Sequence, residues 1–428
     1  MGWKNEGFRI LVVSNQCFAQ NSPSGRILGC LFSKVPSENV AQYYIIEGSN
    51  DFNVCSNFYL FTDKDALRSI LRRDCRGNIV EKTNVINKVD TISPMKKKYG
   101  VSAFTTLMRH FIWKFSNWHN TKMLSWVNEF NPQAILLVCG SAPFMYDVAY
   151  RISTDLNIPL ILFNTEYYLF ENESWFPEKK QSISFNIFKI ILKKAATRAF
   201  NHSVLSIFNS DWLMRQYKSC FNVKSAVIYQ SSDFRIKPLH NEHKIPRITY
   251  IGGFAYGRCY PLASIAESLY SMDNHYRLEV YGLITDEETR LVFNNTRGLY
   301  YRGVISYDEA KEVISDSDIL VLAENPDERY AKSTNYGFST KITDYLFSGV
   351  PIFAYGSLDN VGISYLKETN SACVAFSEDE IKPKLETLLR DKNYCSIIVK
   401  NAMANASMNH DANRNSERFI NLVRNVLN

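Results

Sequence analysis

Lys341 and Asp344 stand three residues apart in FSTKITDYLFSGVPIFAYG (338–356), just after two hydroxyls, Ser339 and Thr340. On a helix that spacing puts the cation and the acid on one face. A helix start with hydroxyls, backbone N–H groups and a cation suits a phosphate. An ordinary helix start would use the same residues: Ser339 or Thr340 as N-cap, Ile342, Tyr345 and Leu346 as apolar stripe, Gly349 and Pro351 as stop. The lysine and aspartate would then be a solvated i,i+3 ion pair. Upstream, YIGGFAYGR places Gly252, Gly253, Gly257 and Arg258 at the end of an apolar run. Such a turn lets backbone approach a diphosphate, and Arg258 adds a bidentate partner, although the spacing is not G-x-G-x-x-G. Two further apolar runs end in Arg302-Gly303-Val304 and in Glu324-Asn325.

Other chemistries find less support. Asp63 and Asp65 in FTDKDAL follow the run NFYL, as a metal-binding D-x-D would, but two acids there also charge a helix start. The acids of SDSDIL (315–320) straddle a helix end. Ser141 in CGSAP lacks the G-x-S-x-G elbow of a hydrolase. None of the seven histidines has a partner pattern, and His110, His119, His240 and His243 read as structural. Nine cysteines are scattered without a C-x-x-C, which excludes a zinc ribbon and fits a reducing cytoplasm.

These residues must be positioned by elements, and the elements alternate. Strand-like runs at 8–15, 41–48, 134–140, 159–166 and 203–211 are separated by amphipathic stretches such as 142–157. The rhythm breaks at the polar segment 233–247. It restarts with strands at 248–253, 276–283, 298–305, 318–324, 351–356 and 371–377, and helices over 259–271 and 307–316. Apolar strands followed by helices predict parallel sheets covered on both faces. The fold class expected is therefore α/β, with two doubly wound Rossmann-like domains in series. With 428 residues, two domains are expected on length as well. They are a first domain over 1–235, a second over 236–407, and a helix over 408–428 able to return to the first. Ligands of such sheets sit at the carboxyl ends of strands, here in a cleft between the two domains.

Bulk properties narrow the class further. Apolar residues make up 46% and charged residues 21%, so the chain is expected to fold and dissolve. A net charge of +6 over this length leaves no basic stripe or recognition motif, so nucleic acid is not expected as a partner. The start MGWKNEGFRILVVSN reads as a polar lead into a strand rather than a signal peptide, and Glu6 stands where myristoylation needs Ser or Thr. No run of 18 apolar residues occurs. Two segments, 96–115 and 182–200, mix basic with apolar residues, as a helix on an anionic leaflet would; a core helix with a basic edge would look the same.

The ordered set G-G-x-x-x-G-R, R-G-V-x-x-x-x-E-A and S-T-K-I-x-D-Y-L-x-S-G-V-P-I resembles the donor half of GT-B glycosyltransferases. The likeness is to the retaining superfamily of bacterial capsule and lipopolysaccharide sugar transferases, and it covers Tyr250 to Tyr355. The resemblance implies a hexosyltransferase-like enzyme with a nucleotide diphosphate sugar as co-substrate and no other cofactor or metal. Gly253, Arg258, Ser339, Thr340 and Lys341 would hold the donor diphosphate. Arg302, Gly303 and Val304 would lie at the base, Asp344 at the ribose, and Glu324 and Asn325 at the donor sugar. In the first half, SNQCFAQNSPSGRILGCLF offers a strand, a flexible loop and a helix beginning near Gly25 and Arg26, which resembles the acceptor-side loop of such enzymes. Glu166, at a strand end, is the candidate for acceptor contact or proton removal. Two positions depart from the family: Tyr336 replaces the first acid of E-x7-E, and Ala263 replaces a lysine that Lys341 would stand in for.

The expected activity is sugar transfer from a nucleotide sugar to a glycan or lipid-linked glycan acceptor, in the cytoplasm or at the inner face of the plasma membrane. A nucleotide-sugar epimerase of the same fold, or a non-catalytic nucleotide- or sugar-binding scaffold, are the alternatives.

Overall fold

The computed structural model describes residues 7–19, 23–72, 74, 76–82, 102–170, 182–232, 234 and 243–428. Parts of the segments at 96–115, 233–247 and 324–333, and His240, lie outside the described residues or their described side chains. The chain forms two compact units, one of residues 1–229 with 412–428, the other of 230–411.

The first unit holds an eight-stranded sheet. Its strands are β1 (Ile10–Gln16), β2 (Val40–Ile46), β3 (Asn57–Leu60), β4 (Asn78–Val80), β5 (Ala134–Val138), β6 (Leu160–Asn164), β7 (Leu205–Phe208) and β8 (Ser225–Val227). They lie in the order β4-β3-β2-β1-β5-β6-β7-β8, parallel except where β4 runs against β3. The inner strands read ILVV, AILL and LILF and are buried throughout, as a sheet covered on both faces requires. One face packs on helices Asp63–Arg72, Ala103–Phe115, Thr121–Phe130, Pro143–Leu156 and Ile183–His202, around Trp113 and Phe188. The other packs on helix Pro23–Leu31 and, from the far end of the chain, helix Ala412–Leu427, which inserts Phe419 and Val423 beside Phe18 and Phe32.

The second unit is a six-stranded sheet, all parallel. Its strands are β9 (Arg247–Ile251), β10 (Arg277–Tyr281), β11 (Leu299–Gly303), β12 (Ile319–Ala323), β13 (Ile352–Tyr355) and β14 (Cys373–Ala375). Their order, β11-β10-β9-β12-β13-β14, is doubly wound: successive strands step one way from β9, then the chain crosses back to β12 and steps the other way. Local chemistry starts the helices. Ser306 and Glu309 form a capping box on helix Tyr307–Ser315, and Asp286 caps helix Glu287–Asn295 through the Thr289 N–H. At the unit boundary Ser232 N donates to His410 O (3.0 Å), and His410 Nδ1 lies 2.7 Å from Gln230 O. The two stretches of backbone at this boundary thus run side by side within the second unit.

Candidate functional site

A doubly wound sheet opens a crevice where its strand order reverses, at the carboxyl ends of the two strands that diverge there. In the second unit those strands are β9 and β12. β9 runs out into Gly252–Arg258, and β12 into Glu324 and Asn325. Arg258 stands immediately before helix Cys259–Met272 and turns its guanidinium onto the Glu324 carboxylate. Nε and Nη2 donate to Oε2 and Oε1, each at 3.0 Å. The two side chains are 17% and 5% exposed, the most deeply buried ion pair among the described residues. Burial works most strongly against the Arg258 charge, yet Glu324 with the neighbouring Tyr250 and Tyr256 together raise the pKa. Asn325 Nδ2 donates to Gly257 O (2.8 Å) and so ties the two loops together.

Lys341 opens helix Lys341–Phe347 and reaches the same place. Its Nζ donates to Tyr250 OH (2.9 Å) and sits 4.2 Å from the centre of that ring. Tyr250 OH in turn donates to Gly253 O (2.8 Å). A side chain at Gly252 would meet Lys341 Nζ at 2.9 Å, so glycine there leaves room for the ammonium. Burial, then the neighbouring Arg258 charge, push the Lys341 pKa down to about 7, against a smaller opposing pull from Glu324. Gly257 has φ +65°, and a Cβ there would strike Asn325 and Tyr330, so the turn needs glycine on both counts. A Cβ at Gly253 would meet no atom within 4 Å.

The structure therefore brings Gly253, Arg258, Lys341, Glu324 and Asn325 to one end of β9 and β12. Ser339 and Thr340 precede the lysine, but neither hydroxyl caps the helix; Thr340 is in αR conformation and has no side-chain cap bond. The helix has seven residues, so its dipole is short. Asp344 is buried on that helix, where Oδ1 accepts from the Ser232 hydroxyl and from Tyr307 OH (3.3 Å). Arg302 lies on the edge strand β11 and donates through Nε to Glu279 (3.0 Å), which also accepts from Arg247 and Tyr281. Gly303 and the exposed Val304 follow at the carboxyl end of that strand.

In the first unit the strand order reverses between β1 and β5. Glu166 is exposed two residues past β6, one strand away from that point, and its carbonyl accepts from Tyr217 OH (3.1 Å). Gly25 and Arg26 lie in the first turn of helix Pro23–Leu31, close to the helix start that the sequence suggests; the fixed φ of a proline starts it two residues earlier, at residue 23. The acids of FTDKDAL serve the fold. Asp63 accepts from Arg109 Nε (2.7 Å) and Trp113 Nε1 (2.8 Å), and Asp65 accepts from Thr62 N (3.0 Å). His243 Nδ1 lies 2.9 Å from Asp318 Oδ2.

Sequence reasoning missed Tyr250 as the seat of Lys341, and Ser232 and Tyr307 as the partners of Asp344. The signal for Tyr250 was an aromatic ring inside a strand, two residues before the glycine turn. Nothing local pointed to the other two.

No family model matches the chain, and no curated protein matches it by sequence. Its fold does match solved structures over nearly their whole length. Sucrose-phosphate synthase from Thermosynechococcus elongatus superposes with a TM-score of 0.62 at 10% identity, covering 98% of this chain and 99% of that one. Anabaena HepE, solved in complex with UDP and glucose, gives 0.60 at 12%, covering 97% and 99%. A glycosyltransferase from Rickettsia africae gives 0.57 at 11%, covering 99% of each. The fold of this chain is that of the GT-B glycosyltransferases, two Rossmann-like α/β domains in one chain.

Proposed function

We propose that the chain is a glycosyltransferase that takes its sugar from a nucleoside diphosphate sugar bound in the second unit. The observation that carries this is the meeting of Arg258 and Lys341 at the strand-order reversal between β9 and β12. With Glu324 beside them, Arg258 and Lys341 leave a net positive charge that favours the two negative charges of a diphosphate diester, and the Gly253 backbone adds a donor. Arg258 offers Nη1 to the phosphate while Nε and Nη2 stay on Glu324, so the carboxylate fixes the fork that the ligand meets. The HepE structures with UDP and with UDP-glucose support this ligand class.

In this reading Asp344 approaches the ribose, Arg302, Gly303 and Val304 flank the base, and Glu324 and Asn325 border the sugar. Transfer breaks the bond between the anomeric carbon and the diphosphate oxygen and forms one to an acceptor hydroxyl. Arg258 and Lys341 stabilise the charge that develops on the leaving diphosphate. The acceptor proton passes to the departing phosphate, which fits retention, or to Glu166. The acceptor is a glycan of the surface type, free or lipid-linked. A lipid-linked one would draw the protein to the inner face of the plasma membrane as a peripheral protein. Calorimetry with UDP-glucose, GDP-mannose and ADP-glucose tests the donor. One of the three is expected to bind and to release its nucleotide when acceptor is present, and heat from none of them would refute the proposal.

A further inference from the structure

The helices on one face of the first sheet form a layer with an unusual outer surface. Helix Ala103–Phe115 packs against Ile183–His202 on one side and Asp63–Arg72 on the other, and all three feed the same core. What they turn away from that core is one face of the unit. On Ile183–His202 the inward residues are Phe185, Phe188, Leu192 and Ala196. Outward, Ile183, Ile187 and Ile190 follow one another at i, i+4 and i+7, with Ile183 80% and Ile190 68% exposed. On Ala103–Phe115 the exposed residues are Phe104 (60%), Met108 and Phe115 (69%). On Asp63–Arg72 they are Leu67 and Leu71 (75%). Such large side chains in solvent, repeated at helical spacing on three adjoining helices, describe a patch rather than scattered exposure.

The charge around them is mostly positive. Neither Ala103–Phe115 nor Ile183–His202 contains a single aspartate or glutamate. Lys114, Lys193 and Lys194 are exposed on these two helices, and Arg68 and Arg72 on the third. Among the described residues these five enter no ion pair, whereas Arg109 and Arg198 are held by Asp63 and Asp147. Among the described residues no helix is long and apolar enough to cross a membrane, so the face would lie on a surface, not span one.

We infer that this three-helix face docks on an anionic membrane surface, its isoleucines and phenylalanines entering the headgroup boundary and its lysines and arginines meeting lipid phosphates. Apolar residues set among unpaired cations complement anionic lipid on both counts. A second copy of the same face would set like charges against like. The inference rests on the lipid-linked acceptor reading and assigns the surface that would serve it.

The test is sedimentation of the full chain with vesicles of phosphatidylcholine and phosphatidylglycerol in equal parts, against vesicles of phosphatidylcholine alone. Binding is expected only to the anionic vesicles, and to weaken with added salt. K193E/K194E is expected to lower it at least about tenfold, and I183S/I187S/I190S to abolish it. These positions are exposed, so both variants should keep the wild-type melting temperature and any UDP-glucose titration. Vesicle binding unchanged in both variants would overturn this face while leaving membrane association standing. No binding of the wild type at low salt would overturn both. A dimer in size exclusion that the isoleucine variant splits would give the face to a second copy and refute the inference. Donor binding, measured separately, stands or falls independently of all three.

Discussion

The two units share a plan, a parallel sheet between helices, yet they use charge differently. In the first, most side-chain ion pairs stay near the periphery, as Arg198 with Asp147 and Lys34 with Glu417, and Lys114, Lys193 and Lys194 enter no ion pair among the described residues. Arg109 with Asp63 is the partly buried exception. In the second, Arg258, Glu324 and Lys341 are carried inward to the point where the strand order reverses. Burying ions is expensive, and a fold gains little stability from it that apolar packing would not supply better. Under the proposed function, the charge buried at the strand-order reversal is there to meet a ligand. Charge left outside serves solubility or a surface.

The comparison breaks most sharply at Arg258. Arg258→Ala leaves the Glu324 carboxylate buried without its partner, so the second unit is expected to lose about 3–5 kcal/mol of stability. Denaturant titration measures this, and Arg258→Ala/Glu324→Ala should recover much of the loss. A loss below about 1 kcal/mol in the single variant would mean the pair is no more than a surface contact. Lys341→Met should behave in the opposite way. It removes a buried ammonium that lacks a carboxylate of its own, so the melting temperature should hold or rise. Affinity for the sugar nucleotide should meanwhile fall by about 1.5–3 kcal/mol, the scale of a hydrogen bond to a charged group.

The same lysine sets a pH dependence. Its folded pKa of about 7 lies below the ordinary 10.5. Between those values the unfolded chain binds more protons, so the stability of the free protein should rise with pH across that window. Below about pH 7 lysine is charged in both states and the burial penalty is fully present. Donor binding needs the ammonium and should run the other way, weakening above pH 7 by up to about tenfold per unit. Lys341→Met should flatten both trends.

Two smaller effects sharpen the contrast. Asp344→Asn weakens charge-assisted bonds from Ser232 and Tyr307, so a stability loss of about 1 kcal/mol is expected alongside a raised donor KM. Stability lost with KM unchanged would make Asp344 purely structural. Glu166→Gln, at an exposed position of the first unit, should change stability by less than about 0.5 kcal/mol. Its expected effect is on acceptor-dependent turnover alone, read as kcat against the wild type.

Much of this architecture can be read from pattern. The runs ILVV, AILLV and LILF announce buried parallel strands, and Gly349 followed by Pro351 ends its helix where the pattern says it should. Arg258 and Glu324 stand out because they follow apolar runs, and Lys341 because it follows two hydroxyls at a helix start. What pattern does not carry is their pairing. Arg258 and Glu324 are 66 residues apart, Lys341 and Tyr250 91, and Ser232 and Asp344 112. Periodicity tells which way a side chain faces within its own element; the group across from it is fixed by tertiary packing. Gly25 and Arg26 illustrate a local limit of another kind: the sequence places a helix start near them, and Pro23 moves it forward by two residues.

Helix Ala412–Leu427 closes one face of the first sheet with Phe419 and Val423, although it is translated after the whole of the second unit. On the ribosome, Phe18 and Phe32 must therefore wait for this cover until the whole second unit, residues 230–411, has been synthesised. A fragment ending at the unit boundary would keep that apolar face open for good. Its fate would be aggregation or a chaperone, and only the chain carried through this helix supplies its own lid.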